Sequence, residues 1–293
     1  MSFNINEWID LVLRWSHVFA GIMWVGATFY FTWLDGRFEE LEKESKGSNE
    51  EKKFVWMVHS GGFYAVEKQK IPKLMPATLH WFKWEAGITW ITGMLLFGFL
   101  YWHGALLTSL EETAKDRWER LFPGVPSPNT FLPVLTWITD HYIITSLLMI
   151  VLSWAVYDLL WSRVFKAGVT GIVISYLLIV AAIVFSCVAF SSRGAYLQLG
   201  AMMGTIMAAN VWMRILPAQR RMVAALKAGQ PPNLEEGARA KMRSKHNTFI
   251  VLPVVFIMIS NHYTGTYGSK YNWIILSVLV LVGWVAAKII RKA

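Results

Sequence analysis

The chain has 293 residues, 55% of them hydrophobic and only 16% charged, with a formal net charge of +9. Globular proteins average roughly 45–50% apolar and about 25% charged residues, so charge is too scarce to clothe a water-facing surface. A soluble enzyme, a disordered chain and a disulfide scaffold are excluded, the last because Cys187 is the single cysteine.

A membrane-spanning helix needs about 20 predominantly apolar residues. The first such stretch, Trp8–Leu34, is too long for a cleavable signal and carries Arg14 and His17. Residues 35–80 follow as a polar loop. Within it Glu39–Lys53 alternates in sign and reads as a solvated helix or loop. The segment HSGGFYAVEKQ reads as an amphipathic piece along the membrane, with Phe63, Tyr64 and Val66 toward lipid. The second span is Trp81–His103, followed by a loop over 104–135. Thr136–Trp161, Val169–Phe190 and Tyr196–Leu216 make three more, with GAMMG in the last reading as a helix-packing contact. After a loop over 217–246 come Thr248–His262, full length only if its polar ends are admitted, and Trp273–Ile289. The sequence therefore predicts one all-α integral membrane domain over 1–293, a bundle of about seven transmembrane helices.

Charge sets the orientation. All but six of the 28 Lys and Arg fall on one side of this alternation; the exceptions are Arg14, Lys115, Arg117, Arg120, Arg193 and Lys270. Basic excess marks the cytoplasmic side. The N-terminus is expected outside, the C-terminus inside, 35–80 and 217–246 as cytoplasmic loops, and 104–135 as an extracytoplasmic one. The net charge follows from this asymmetry and needs no nucleic-acid partner.

Six of the seven histidines lie in or at the end of a span, the exception being His59. An isolated interfacial His can simply face headgroups, but six together suit imidazole's role as a ligand of metals and haem iron. His17 and His262 fall in the outer layer, His80 and His246 in the inner one with His59 in the adjoining loop. His246 and His262 stand about 24 Å apart along one helix, so they cannot share one iron. Two haems, one per leaflet, are expected if both are ligands. His17, Gly21, Trp24 and Thr28 recur on one helical face, and Gly21 beside a flat Trp24 leaves room for a macrocycle; His80, Trp84 and Gly87 repeat the pattern. With no CxxCH in the chain, the cofactor expected is haem b, held non-covalently. The competing reading is that these small residues serve helix packing.

Three further positions carry charge or proton chemistry. Glu85, inside the second span, could carry protons or merely pair with His80 or Lys83. Arg193 could hold an anionic substrate or a haem propionate in its planar fork, or snorkel at the interface. Asp140 could orient His141 as a general base.

The segments WSHVFAGIMWVGATFYFTWLD, VHSGGFYAVEK, LHWFKWEAGITWITG, SWAVYDLL, GAMMGTIMAANVWMRILPAQRRMVAALKAG and RSKHNTFIVLPVVFIMISNHYTGTYG together resemble the membrane domain of the bacterial membrane-bound, cytochrome-linked urate hydroxylases (urate oxidases). The resemblance implies a multi-pass protein of the bacterial inner membrane that oxidises urate to 5-hydroxyisourate and reduces a cytochrome c. Many members carry a C-terminal cytochrome c domain. This chain has none, so it either hands electrons to a separate cytochrome or is the membrane piece of something longer. His17, His59, His80, His246 and His262 lie within the resembling segments.

Two function classes emerge. In the first, an enzyme, urate binds at the outer face beside a haem, Arg193 holds the anion, and Asp140 with His141 takes the proton. In the second, paired b haems carry electrons between a quinone and a cytochrome as a membrane subunit with no urate site. A transporter is disfavoured, because no pair of spans shows matched Gly/Pro breaks. Oligomeric state is not legible.

Overall fold

The computed structural model describes residues 4–45, 54–69, 71–72, 76, 78–108, 112–127, 130, 132–165 and 168–291. Helix α1 (Ile5–Ser45) runs 41 residues without interruption. The rest of the alternating-charge segment, 46–53, lies outside the described residues. Strands β1 (Phe54–His59) and β2 (Gly62–Glu67) then form an antiparallel hairpin.

The hairpin corrects the reading of HSGGFYAVEKQ and adds strand to an otherwise helical protein. Ser60 at φ 50° and Gly61 at φ 76° supply the two left-handed positions of a tight turn whose twist matches the strands. Strand alternation then sends neighbouring side chains to opposite faces. Val55, Met57 and Val66 pack on Leu34, Phe38 and Leu41 of α1. Phe54, Trp56, Val58 and Phe63 point away and stay exposed. Phe63 therefore faces outward, whereas Val66 is turned onto α1 and Tyr64 shares its face, opposite Met57.

Helix α2 (Trp84–Phe97) runs on through a π-helical turn, Gly98–His103. Helix α3 (Ala114–Leu121) is a short outer helix closed by reciprocal Thr113 and Asp116 hydrogen bonds at its start. Those bonds hold the Asp116 carboxyl below its ordinary pKa. From α3, the buried Arg117 donates to the Val188 carbonyl at 2.7 Å and the Glu112 carbonyl at 2.7 Å, tying the outer loop to the end of the fourth span.

Helices α4 (Leu132–Asp140) and α5 (Tyr142–Leu159) break at His141, so the third expected span is not one continuous helix. Helix α5 continues as a π turn, Leu160–Val164. Helix α6 (Val169–Ala189) precedes α7 (Ser192–Ala209), which runs through a third π turn, Asn210–Ile215, into α8 (Leu216–Lys227). Helix α9 (Leu234–Ser260) starts at Asn233, whose side chain accepts from the Glu235 and Glu236 amides. The expected loop over 217–246 is thus mostly two helices. Helix α10 (Thr264–Tyr267) and α11 (Asn272–Ile290) close the chain.

Five helices among the described residues are long and apolar enough to cross a membrane: Ile5–Ser45, Tyr142–Val164, Val169–Ala189, Ser192–Lys227 and Asn272–Ile290. The second and sixth expected spans are helical too, as α2 with its π turn and as the apolar half of α9. Helix α7 is the axis, packed on α2, α5, α6 and α9. Its residues from Gly194 to Gly200 are buried all round, the mark of a helix enclosed by others. Gly200 lets α9 approach: a Cβ there would stand 3.0 Å from both Ile257 Cγ2 and Met258 Cε. Gly204 has open space instead, so GAMMG works through its first glycine alone.

Candidate functional site

Functional side chains gather at three levels of the bundle. The outer level is built on α5, α7 and α9. Ser191 caps α7, accepting from the Gly194 amide, and this fixes Arg193 in the first turn. Arg193 Nε donates to Asn261 Oδ1 at 2.5 Å, and the Tyr101 hydroxyl lies 3.4 Å from the same oxygen. No carboxylate among the described residues pairs with Arg193, and its two terminal amino groups carry no partner.

One turn deeper, a sealed polar chain joins three helices. Trp102 Nε1 donates to Ser146 Oγ at 3.0 Å, Ser146 Oγ donates to Gln198 Oε1 at 2.7 Å, and Gln198 Nε2 donates to the Ser146 carbonyl at 3.1 Å. His141 and Arg193 each lie about 7.5 Å ahead of this pair along the parallel α5 and α7, given the 1.5 Å rise per residue. They occupy one level.

The Asp140–His141 dyad does not form. His141 Nδ1 lies 2.9 Å from the Trp137 carbonyl and its ring stacks on Trp137 at 4.5 Å, while Asp140 is exposed and unbonded. A carbonyl only accepts, so Nδ1 carries the proton and the neutral ring's lone pair sits on Nε2. His262 is exposed at the end of α9, on a hollow of about 600 Å³ shared with Phe256, Ser260, Tyr263 and Thr266.

At the middle level His17 faces α2. Its Nδ1 stands 2.8 Å from the Thr89 carbonyl, which again fixes the tautomer and leaves the Nε2 lone pair free. Gly93 makes room for the ring, since a Cβ there would fall 2.7 Å from His17 Cε1. Among the described residues nothing bonds its Nε2, the nitrogen a histidine offers to a metal when Nδ1 is tied to backbone. A Cβ at Gly21 would stand 3.8 Å from Thr89 Cγ2, an ordinary contact, whereas one at Gly87 would meet Trp212 at 3.0 Å, so a side chain takes up the room beside Gly87 alone. Trp24 packs in the cluster of Ala86, Val211 and Leu216. Glu85 bonds neither His80 nor Lys83; its Oε2 is buried and unpartnered.

The inner level is the most heavily bonded part of the protein. Asp158 on α5 accepts from Arg214 Nε at 2.8 Å and from Arg243 Nη2 at 3.0 Å, and Arg243 also donates to Ser162 Oγ at 2.7 Å. The Tyr157 hydroxyl shares a 2.8 Å hydrogen bond with His246 Nδ1 and accepts from Asn210 Nδ2 at 3.0 Å. Asn210 also donates to Asn247 at 2.9 Å. The His246 ring packs on Trp161, centroids 4.3 Å apart. His80 instead meets Phe82 edge-on, centroids 4.5 Å apart, and Phe82 in turn meets Phe31 of α1. The two inner histidines therefore turn to different neighbours. His59, at the hairpin turn, bonds Ser60 Oγ at 2.7 Å. Among the described residues no three of His, Cys, Asp and Glu gather as a metal cluster.

Asn261, Tyr101, Asp158 and Arg243 escaped the sequence reading. Asp158 carried the available signal: an acid inside an apolar run has to be answered by something. Asn261 gave no such sign, because an amide beside His262 in SNHY reads as a helix end. A family model described as urate oxidase N-terminal matches residues 3–125 and 127–292. No curated protein and no solved structure matches the chain.

Proposed function

The chain belongs to the urate oxidase N-terminal family, and from that membership we propose that it oxidises urate to 5-hydroxyisourate at the outer level and delivers the electrons to a cytochrome c. Urate and one water give 5-hydroxyisourate, two protons and two electrons. Arg193 is the observation that carries this reading. It is a guanidinium held by one nitrogen on Asn261, with two amino groups free to clasp the edge of an anion. A cation without an acid partner is costly in a bundle of low polarity unless a ligand answers it.

His141, with its lone pair on Nε2 and a place at the level of Arg193, takes the proton released on oxidation. Tyr101 meets the same Asn261 oxygen and helps to hold the amide that positions the fork.

Haem b, held non-covalently, would supply a one-electron sink. His17, its Nδ1 held by the Thr89 carbonyl, would be one ligand, and His80, His246 and His262 are the remaining candidates. The same reading counts α2 and α9 among seven spans of a bacterial inner membrane, with the N-terminus outside, because that arrangement gathers the basic residues on the cytoplasmic face. The test is Arg193→Ala: the Michaelis constant for urate should rise while the optical spectrum stays as in the wild type. Unchanged kinetics overturn the outer site, and loss of a haem band reassigns Arg193 to a propionate.

A further inference from the structure

The β-hairpin and the end of the first span lie side by side. Between Arg14 and Asp35 helix α1 carries no Asp, Glu, Lys or Arg, so residues 15–34 are its membrane core, about 30 Å long at 1.5 Å per residue. Tyr30 and Trp33, near the end of that stretch, are aromatics of the kind that mark the headgroup level. Contacts fix the direction of the hairpin against this helix. Val55 of β1 packs on Leu34 and Phe38, and two residues further on Met57 Sδ accepts from the Tyr30 hydroxyl at 3.6 Å. Advancing along β1 therefore means going back down α1, into the span. His59, which opens the turn, lies about 6.6 Å beyond Met57, roughly level with Gly26. The hairpin does not stand off the membrane; it folds back into the leaflet that holds the end of the first span.

The face turned away from α1 is apolar: Trp56 and Val58 are each 69% exposed and Phe63 is 82% exposed. Polarity along the hairpin changes in step with depth. Its open end carries Glu67 and Lys68, and Lys68 pairs with Asp35 of α1; its turn end carries Val58 and Phe63 as an opposed pair. That gradient identifies what covers the face. The surface of a soluble partner or of a second copy has no reason to run from charged to apolar in register with the span, whereas the boundary between headgroups and acyl chains does. The sheet itself limits the depth. Both outer edges of a two-stranded sheet leave N–H and C=O groups without ladder partners, which bars it from the hydrocarbon centre. The hydrated headgroup layer answers those groups, and a turn about 6–7 Å below Tyr30 falls within the roughly 5–10 Å that an interfacial apolar face reaches.

We propose that the hairpin is a membrane-interface anchor, with Trp56, Val58 and Phe63 set into the acyl boundary of that leaflet, and that its partner is the lipid bilayer. Trp56 joins Tyr30 and Trp33 in one aromatic belt, and Val58 and Phe63 reach deepest. The opposite face, through Val55, Met57 and Val66, holds α1. The anchor thereby fixes the point at which α1 leaves the bilayer and its charged continuation, residues 35–45, begins. This role is independent of the urate reading.

The test uses the full chain in nanodiscs of phosphatidylcholine and phosphatidylglycerol. Trp56→Cys, Val58→Cys, Phe63→Cys and Gln69→Cys each introduce one thiol at an exposed position, where folding does not depend on the side chain, and each is labelled with a nitrobenzoxadiazole dye. Cys187 is fully buried, and the unsubstituted chain reports its background. Dye at Val58 and Phe63 should lose the quenching by aqueous iodide that Gln69, past the open end, retains. It should instead be quenched by lipids carrying a nitroxide near the top of the acyl chain, with Trp56 intermediate between the two ends. Iodide quenching at Val58 and Phe63 as strong as at Gln69 places the hairpin in water and overturns the anchor. Shielding from both quenchers, as a seat on a second copy would give, overturns it as well. Equal nitroxide quenching at all four positions overturns the fold-back direction on which the anchor depends.

Discussion

Arg193 at the outer end of the bundle and Arg243 at the inner end are bonded in opposite ways. At the inner end Arg214 and Arg243 converge on Asp158, Ser162 adds an oxygen, and the Tyr157 ring lies under the Arg243 guanidinium at 4.9 Å. At the outer end Arg193 bonds one amide oxygen among the described residues. The first arrangement sets one carboxylate between two guanidiniums and ties α5 to α9 and to the π turn after α7. The second leaves a charge outstanding.

This contrast can be broken most forcefully at Asp158. Asp158→Ala would leave Arg243, only 3% exposed, beside Arg214 with no acid between them. Removing one partner of a buried pair costs about 3–5 kcal/mol, so thermal unfolding in detergent should shift far downward, and an unchanged midpoint would make the inner cluster ornamental. Arg193→Ala should do the reverse: unfolding barely moves, while the urate Michaelis constant rises roughly 10- to 100-fold, as loss of a charged hydrogen-bond contact of about 1.5–3 kcal/mol implies. Gly93→Ala sharpens the middle level. Its Cβ would fall 2.7 Å from His17 Cε1, and relieving the overlap by displacing the ring should cost about 1–3 kcal/mol. Any absorbance due to a haem on His17 should shift with it. Tyr101→Phe removes only the 3.4 Å contact to Asn261, so a rise of roughly two- to fivefold in the Michaelis constant, worth about 0.5–1 kcal/mol, is expected from steady-state assays.

Much of the fold could be read from hydropathy, because apolar runs of helical length leave few alternatives in a membrane. The π turns and the break at His141 could not, since they change the hydrogen-bond partner of a backbone amide without changing composition. The hairpin was hidden for a different reason. Phe63 and Tyr64 suit a helix face or alternating strand faces equally well, and Ser60-Gly61 decides between them through two backbone angles. Of the sites, Arg193 and Glu85 stood out as charges inside apolar surroundings. Their partners did not: Asn261 is 68 residues from Arg193, a separation that no local pattern bridges. The glycines divide: Gly21 and Gly87 both suggested space for a macrocycle, and Trp212 stands close against Gly87 while Gly21 has only an ordinary contact to Thr89.

Helix α1 carries one further consequence. Its 41 residues contain no proline, and at 1.5 Å per residue they reach about 61 Å, roughly twice the hydrocarbon thickness of a bilayer. His17 near one end and Phe38 beneath the hairpin thus sit on a single stiff rod, about 32 Å apart. A rod pivoting within the membrane acts as a lever: a tilt of a few degrees at the level of His17 becomes an ångström-scale sweep of the hairpin.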